Sequence, residues 1–181
     1  MQFRLNQLLA ELPQLGEYLI SRKHVKIGGI FKSDDAQGPE RYFGLISAMI
    51  DAGLNIDDKY FCWYDTDDRA EIVGEGGYSL LDRFIDKRLK DCTAIVCYND
   101  EIAYNLINRL QEKGVAVPKE KAVVSFDNSF FSQISSISIT SLGHKEKKTG
   151  TAAATMLLSI IQGNEIISEK LGWELYERRS G

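Results

Sequence analysis

Short apolar runs alternate with amphipathic helical stretches along most of this chain, and that alternation leaves few folds open. "KIGGIF" (26–31) reads as a strand, and after the polar loop "KSDDAQGPER" the stretch "RYFGLISAMIDAGL" (41–54) has helical spacing closed by Gly53. "DKYFCWYD" (58–65) and "YSLLDRFIDKRL" (78–89) repeat the pair, the helix with apolar positions near i, i+3, i+4 and i+7. "TAIVCY" (93–98) and "EIAYNLINRLQEKG" (101–114) repeat it again, with Gly114 as the stop. "KAVVSF" (121–126) is a fourth strand, and "SISITSL" (136–142) follows a short loop. "KKTGTAAATMLLSIIQG" (147–163) is an Ala-rich helix and "KLGWELYERR" (170–179) a closing extended segment. Upstream, leucines at helical spacing over residues 4–23, interrupted by Pro13 and Gly16, predict one helix or two short ones. The expected fold is therefore α/β, a three-layer sandwich with a mainly parallel twisted sheet and helices on both faces.

A length of 181 residues suits one compact domain, or one domain plus a short extra piece. The formal net charge is −4, with basic residues scattered among acids, which argues against a surface that grips a phosphate backbone. The densest basic stretches, "DKRLK" and "HKEKK", read as solvated helix faces because acids are interleaved. Cys62, Cys92 and Cys97 are odd in number, lack metal-ligand spacing, and in part sit inside apolar runs, which predicts buried thiols in a reducing cytoplasm. No apolar stretch is long enough to span a membrane, and "MQFRLNQ" lacks the basic start and apolar core of an export signal.

In a parallel α/β sheet, ligands are met at the carboxyl ends of the strands. Here those ends carry Lys32, Asp34, Asp35 and Gln37 with Arg41; Asp65, Thr66 and Asp67; Asn99 and Asp100; Asp127 and Asn128; and Ser141 with His144. Carboxylates and amides beside an arginine suit a polyhydroxylated ligand such as a sugar. Asp100 is read first as an N-cap of the following helix, whereas Asn99, at the last strand position, is read as offering its amide to the cleft. "DTDDRAE" lacks the glycine and terminal Glu of a calcium loop and is read as a solvated loop. No GxSxG elbow, GxxxxGK loop or GxGxxG turn occurs, His24 reads as structural, and His144 has no visible nucleophile partner. No catalytic residue, metal or cofactor is predicted.

The order "QGPERYFGLISAMIDAGL", "TAIVCYNDEIAYNLINRLQEKGVAVPKEKAVVSFDNS", "SITSLGHKEKKTGTAAATMLL" and "WELYERRS" resembles the effector-binding half of lactose-repressor-family transcription regulators. "FKSDDAQGPER" and "CYNDEIA" look most like the arabinose-repressor branch, whose DNA-binding part is a winged helix. The resemblance implies a type I periplasmic-binding-protein-like fold with a sugar, L-arabinose first, closed between two lobes. It implies that Arg41, Asn99 and Asp127 grip sugar hydroxyls, that His144 faces the cleft, and that Lys32, Asp35 and Gln37 contribute more weakly. It further implies a fragment, with residues 1–24 a remnant of the N-terminal lobe and hinge and 25–181 the C-terminal lobe. Operator DNA would be met only through a domain outside the chain, and the protein would act as a homodimer. Tyr60, Phe61 and Trp63 with the helix at 78–89 are read as core rather than dimer surface. A transporter component and an enzyme of the same architecture are the competing readings.

Overall fold

The computed structural model describes residues 14–144, 149–164 and 172–181. Six strands form one sheet in the order β2-β1-β3-β4-β5-β6: β1 (Ile27–Lys32), β2 (Phe61–Tyr64), β3 (Ala94–Cys97), β4 (Ala122–Phe126), β5 (Thr140–His144) and β6 (Trp173–Tyr176). All neighbours are parallel except β5 and β6. Among the described residues the helices are α1 (Gln14–Ser21), α2 (Gln37–Asp51), α3 (Arg69–Val73), α4 (Ser79–Arg83), α5 (Asp100–Glu112), α6 (Phe130–Ile134) and α7 (Thr149–Ile161).

Alternating side chains divide the sheet between two cores. Phe31, Ala94, Val96, Val124 and Phe126 face α1 and α2, packing with Leu15, Leu19, Leu45 and Met49. Ile30, Ile95, Cys97 and Val123 face the other way, against Ile72, Leu81, Ile102 and Leu106 of α3, α4 and α5 and Phe84 just after α4. The expected three layers are therefore present. The three thiols are free and buried, as predicted, and burial pushes Cys92 up to about 11 and Cys62 to about 12, which leaves both protonated and inert at neutral pH.

Several boundaries differ from expectation. α2 starts at Gln37 because Pro39 falls in the first turn, where its missing N–H costs nothing, and because the Asp35 carboxylate accepts the Gly38 N–H at 2.8 Å. Asp58–Tyr60 form a 3-10 turn before β2. The helix at 78–89 changes after Arg83 to a π-turn over Phe84–Arg88. "DTDDRAE" is not all loop: it runs into α3, whose Ile72 is fully buried. β5 begins only at Thr140. Of the N-terminal helix, residues before Gln14 lie outside the described part, as do Lys147 and Lys148 of the final helix. Phe61 is buried as expected, whereas Trp63 is part exposed and stacks edgewise on Tyr42. α7 leaves Leu157, Leu158, Ile160 and Ile161 more than half exposed.

The C-terminal segment is structural. Ser180 is fully buried between β4 and β5, where its carbonyl accepts from Val123 N, its hydroxyl donates to Val123 O, and Thr140 N donates to that hydroxyl. Arg178 donates to Ile139 O at 2.8 Å and to Asn128 Oδ1 at 2.6 Å, tying the tail to the loop after β4.

The first turn of α2 passes close over the end of β1. A Cβ on Gly38 would lie 1.7 Å from the Lys32 carbonyl oxygen, which belongs to backbone and cannot swing aside. Gly38→Ala is expected to cost about 1–3 kcal/mol by forcing that turn off the strand end. Urea unfolding measures it, and a midpoint unchanged from wild type would show that the turn yields without cost.

Candidate functional site

β1 lies between β2 and β3, so the chain leaves β1 towards one side and returns on the other, opening a crevice where the strands end. Arg41, one turn into α2, crosses that crevice. It is only 5 % exposed, yet every partner it meets comes from a different strand end or from its own helix. One guanidinium nitrogen donates to the Tyr98 carbonyl after β3; the other donates to Gln37 Oε1 at 2.8 Å and to Asp127 Oδ1, after β4, at 2.7 Å. The rings of Tyr98 and Phe126 each lie 4.8 Å from its central carbon. Planar delocalised charge held between aromatic faces is a role lysine does not fill.

Tyr98 extends the network. Its hydroxyl donates to Asp35 Oδ2, and Lys32 stands 3.8 Å from the same oxygen and 3.3 Å from Asp34. Five of the predicted residues, Lys32, Asp35, Gln37, Arg41 and Asp127, are thereby joined in one set of hydrogen bonds and ion pairs. Tyr98 was missed by sequence reading, although an aromatic closing an apolar strand run immediately before Asn99 was a usable signal. Phe126, beneath the guanidinium, was read only as strand.

Asn99 takes the capping role expected of Asp100. Asn99 is the N-cap of α5, its Oδ1 accepting the Ile102 N–H at 3.0 Å. Asp100 is fully buried, accepting from Ser125 Oγ and from Ser129 N at 2.5 Å. The carboxylate is thus a clamp between α5 and the loop after β4 rather than a cap. That loop needs holding: Asp127 and Asn128 both have left-handed backbones, φ +97° and +47°, and Asn128 N donates to Ser141 Oγ at 2.9 Å.

His144 stands apart. It closes β5, stacks on Trp173 at 4.1 Å between ring centres, and shares no contact with Arg41. Its Nδ1 is buried, with no hydrogen-bond partner among the described residues. His24, read as structural, pairs with Thr93 Oγ1 at 3.0 Å, and its pKa is lowered by burial and by Arg22. At the opposite end of the strands, before β3 and β4, an open hollow is lined by Asp86, Cys92, Lys113 and Lys121. There Lys121 is consumed by three backbone carbonyls, those of Leu89, Lys90 and Cys92, and burial lowers its pKa.

Burial also pushes the Asp100 carboxyl above the usual carboxylate range, and hydrogen bonds from Ser125, Ser141 and Ser129 oppose the push. A folded chain that holds this proton more tightly than the unfolded one draws full stability from it below the ordinary value of about 3.9 and loses that stability as pH rises through the folded value. Asp100→Asn removes the titration and keeps an acceptor for Ser129 N. Melting of both proteins across about pH 4–7 is expected to show the variant gaining on wild type as pH rises, by about 1.4 kcal/mol per unit of displacement. A constant gap would mean that Asp100 titrates normally.

The sequence profile of the periplasmic binding protein-like domain matches residues 17–180. An arabinose metabolism transcriptional repressor of Halalkalibacterium halodurans is 34% identical over 147 residues, 81% of this chain and 38% of that protein. Its counterpart in Geobacillus stearothermophilus is 32% identical over 162 residues, 90% of this chain and 43% of that protein. This chain thus spans about four-tenths of the length of the curated relatives it matches. The crystal structure of a regulatory protein of LacI family from Chloroflexus aggregans superposes with a TM-score of 0.74 at 26% identity, covering 96% of this chain and 61% of that one. These relatives are named as regulators, in line with the expectation that the chain is not an enzyme. The chain belongs to the periplasmic binding protein-like domain family, in the form that lactose-repressor-family transcription regulators carry.

Proposed function

We propose that this chain is the effector-binding part of a cytoplasmic transcriptional repressor that responds to a pentose, L-arabinose first, and acts as a homodimer. The observation that carries the reading is Arg41, held in the crevice at the strand ends with Gln37 and Asp127 on the same nitrogen and Asp35 and Lys32 beyond Tyr98. Such a row of paired donors and acceptors complements the hydroxyls of a sugar. The names of the two aligned relatives support arabinose as the sugar.

In this reading the sugar closes between this lobe and a second one supplied by the rest of a longer protein, and the exposed apolar face of α7 is covered by that lobe. Operator DNA is met by a further domain. Sugar releases the operator by binding one lobe-to-lobe arrangement more tightly than the other, since a ligand with equal affinity for both shifts nothing. Linkage then requires operator DNA to weaken sugar by the same factor.

The test is a titration of the isotope-labelled chain with L-arabinose, D-xylose, D-ribose, D-galactose and D-glucose, followed by amide NMR shifts. L-Arabinose is expected to move the amides around Arg41, Asn99 and Asp127. Arg41→Ala is expected to weaken it by about 1–3 kcal/mol through the lost charged hydrogen bonds. Asn99→Ser keeps a cap on α5 and removes only the amide donor, so loss of affinity there without loss of stability assigns Asn99 to the sugar. Shifts with none of the sugars would sink the effector class.

A further inference from the structure

The site resting on that reading has a second property, which concerns the charge of what it accepts. An anionic ligand is recognised by unpaired cations or by unsatisfied N–H groups at a helix start. Among the described residues at the strand ends, three cations are already met by this chain's own carboxylates, while Arg178, beside Asn128, meets the neutral oxygens of Asn128 and Ile139. Arg41 pairs with Asp127 at 2.7 Å; Lys32 lies between Asp34 at 3.3 Å and Asp35 at 3.8 Å; Arg69 pairs with Glu101 at 2.6 Å. The start of α2 is closed by Asp35 on Gly38 N, and that of α5 by Asn99 on Ile102 N. With Glu75, which also faces Arg69 at 3.3 Å, five carboxylates face these three cations.

Asp127 is the carboxylate on which this balance turns. Arg41 is buried, so its charge has no water to screen it and must be met by a group in contact. Asp127 does this from the exposed side, its side chain 42% accessible and its backbone in a left-handed conformation. A phosphate arriving at Arg41 would have to displace Asp127 and would then sit beside an unpaired carboxylate. A neutral polyol needs no such displacement, because Asp127 accepts from its hydroxyls while still facing Arg41.

We propose that Asp127 sets the ligand class by charge: the site takes uncharged polyhydroxyl compounds and refuses their phosphorylated forms, and Asp127→Asn reverses that refusal. Asparagine keeps the size of the side chain, tolerates the left-handed backbone, and leaves Arg41 with a net positive charge to offer.

The experiment titrates the labelled chain and its Asp127→Asn variant, by amide NMR shifts, with L-arabinose, L-arabinose 5-phosphate and inorganic phosphate, at fixed low salt. Wild type is expected to bind L-arabinose at least about tenfold more tightly than either phosphate probe, and Asp127→Asn to bind inorganic phosphate at least about tenfold more tightly than wild type does. The Asp34→Asn, Asp35→Asn double variant, which removes both carboxylates facing Lys32, supplies a second variant if Asp127→Asn loses its dispersed spectrum. Wild-type shifts at the Arg41 cluster that saturate with phosphate as readily as with the sugar overturn the proposal, as does a folded Asp127→Asn protein with no gain in phosphate affinity. Absence of any L-arabinose response, with the phosphate arms behaving as expected, removes the pentose reading and leaves the charge assignment standing.

Discussion

The burial of one guanidinium organises this site. Arg41 is under the surface, and a buried cation is stable only when its donors and its charge are met. The partners it uses come from the ends of β3 and β4 and from the first turn of α2, so one side chain ties together three segments that are distant in sequence. Gly38 is required upstream of it because the helix must start against the β1 carbonyl for Arg41, three residues on, to reach the crevice. Asp100 is required behind it because the strained turn at Asp127 and Asn128 is held by the Ser129 N–H bond to that carboxylate. The fold and the site are thus one construction at this edge of the sheet.

Much of this was legible in the sequence, for a physical reason. Strands buried on both faces read as continuous apolar runs, and helices that cover them read as amphipathic, so "TAIVCY" before "EIAYNLINRL" gives the element types and their order. Once the sheet is parallel, the rule that ligands meet strand ends gathers Arg41, Asn99 and Asp127 together with Asp65, Thr66, Ser141 and others, and only the family resemblance narrows that list to the three. What the pattern could not give is which neighbouring polar residue turns inward. Asn99 and Asp100 are adjacent, and either can cap a helix. The assignment depends on Ser125 and Ser129 waiting behind the helix start, twenty-five and twenty-nine residues away. Gln37 to Glu40 were misread because glycine and proline mark a loop and also suit a first helical turn.

His144 shows a different limit. Its place at the end of β5 was predicted, and its neighbour across the sheet, Trp173, was not, because pairing of an antiparallel edge strand leaves no mark in the local pattern of either segment. The stacked ring accounts for one face of the imidazole. The buried Nδ1, which has no partner among the described residues, is the kind of group that a closing segment or a ligand satisfies.

An internally balanced site has an energetic consequence. Each hydrogen bond that a neutral ligand makes here replaces one already made, to water or to another residue, and such exchanges net only about 0.5–1.5 kcal/mol apiece. A handful of them amounts to roughly the 4 kcal/mol of a millimolar complex. Tighter binding needs a second surface that removes water from the ligand's other face and adds contacts of its own. The same limit is what makes such a site useful in a switch. If most of the binding free energy is released only when two surfaces meet across the ligand, then the ligand's preference for the closed arrangement is large by construction, and that preference is the quantity that moves a two-state equilibrium. A lone cluster with an unpaired cation would bind an anion well in either arrangement and would shift the equilibrium little. Under the proposed function, pairing Arg41 with Asp127 trades affinity in the open state for discrimination between states.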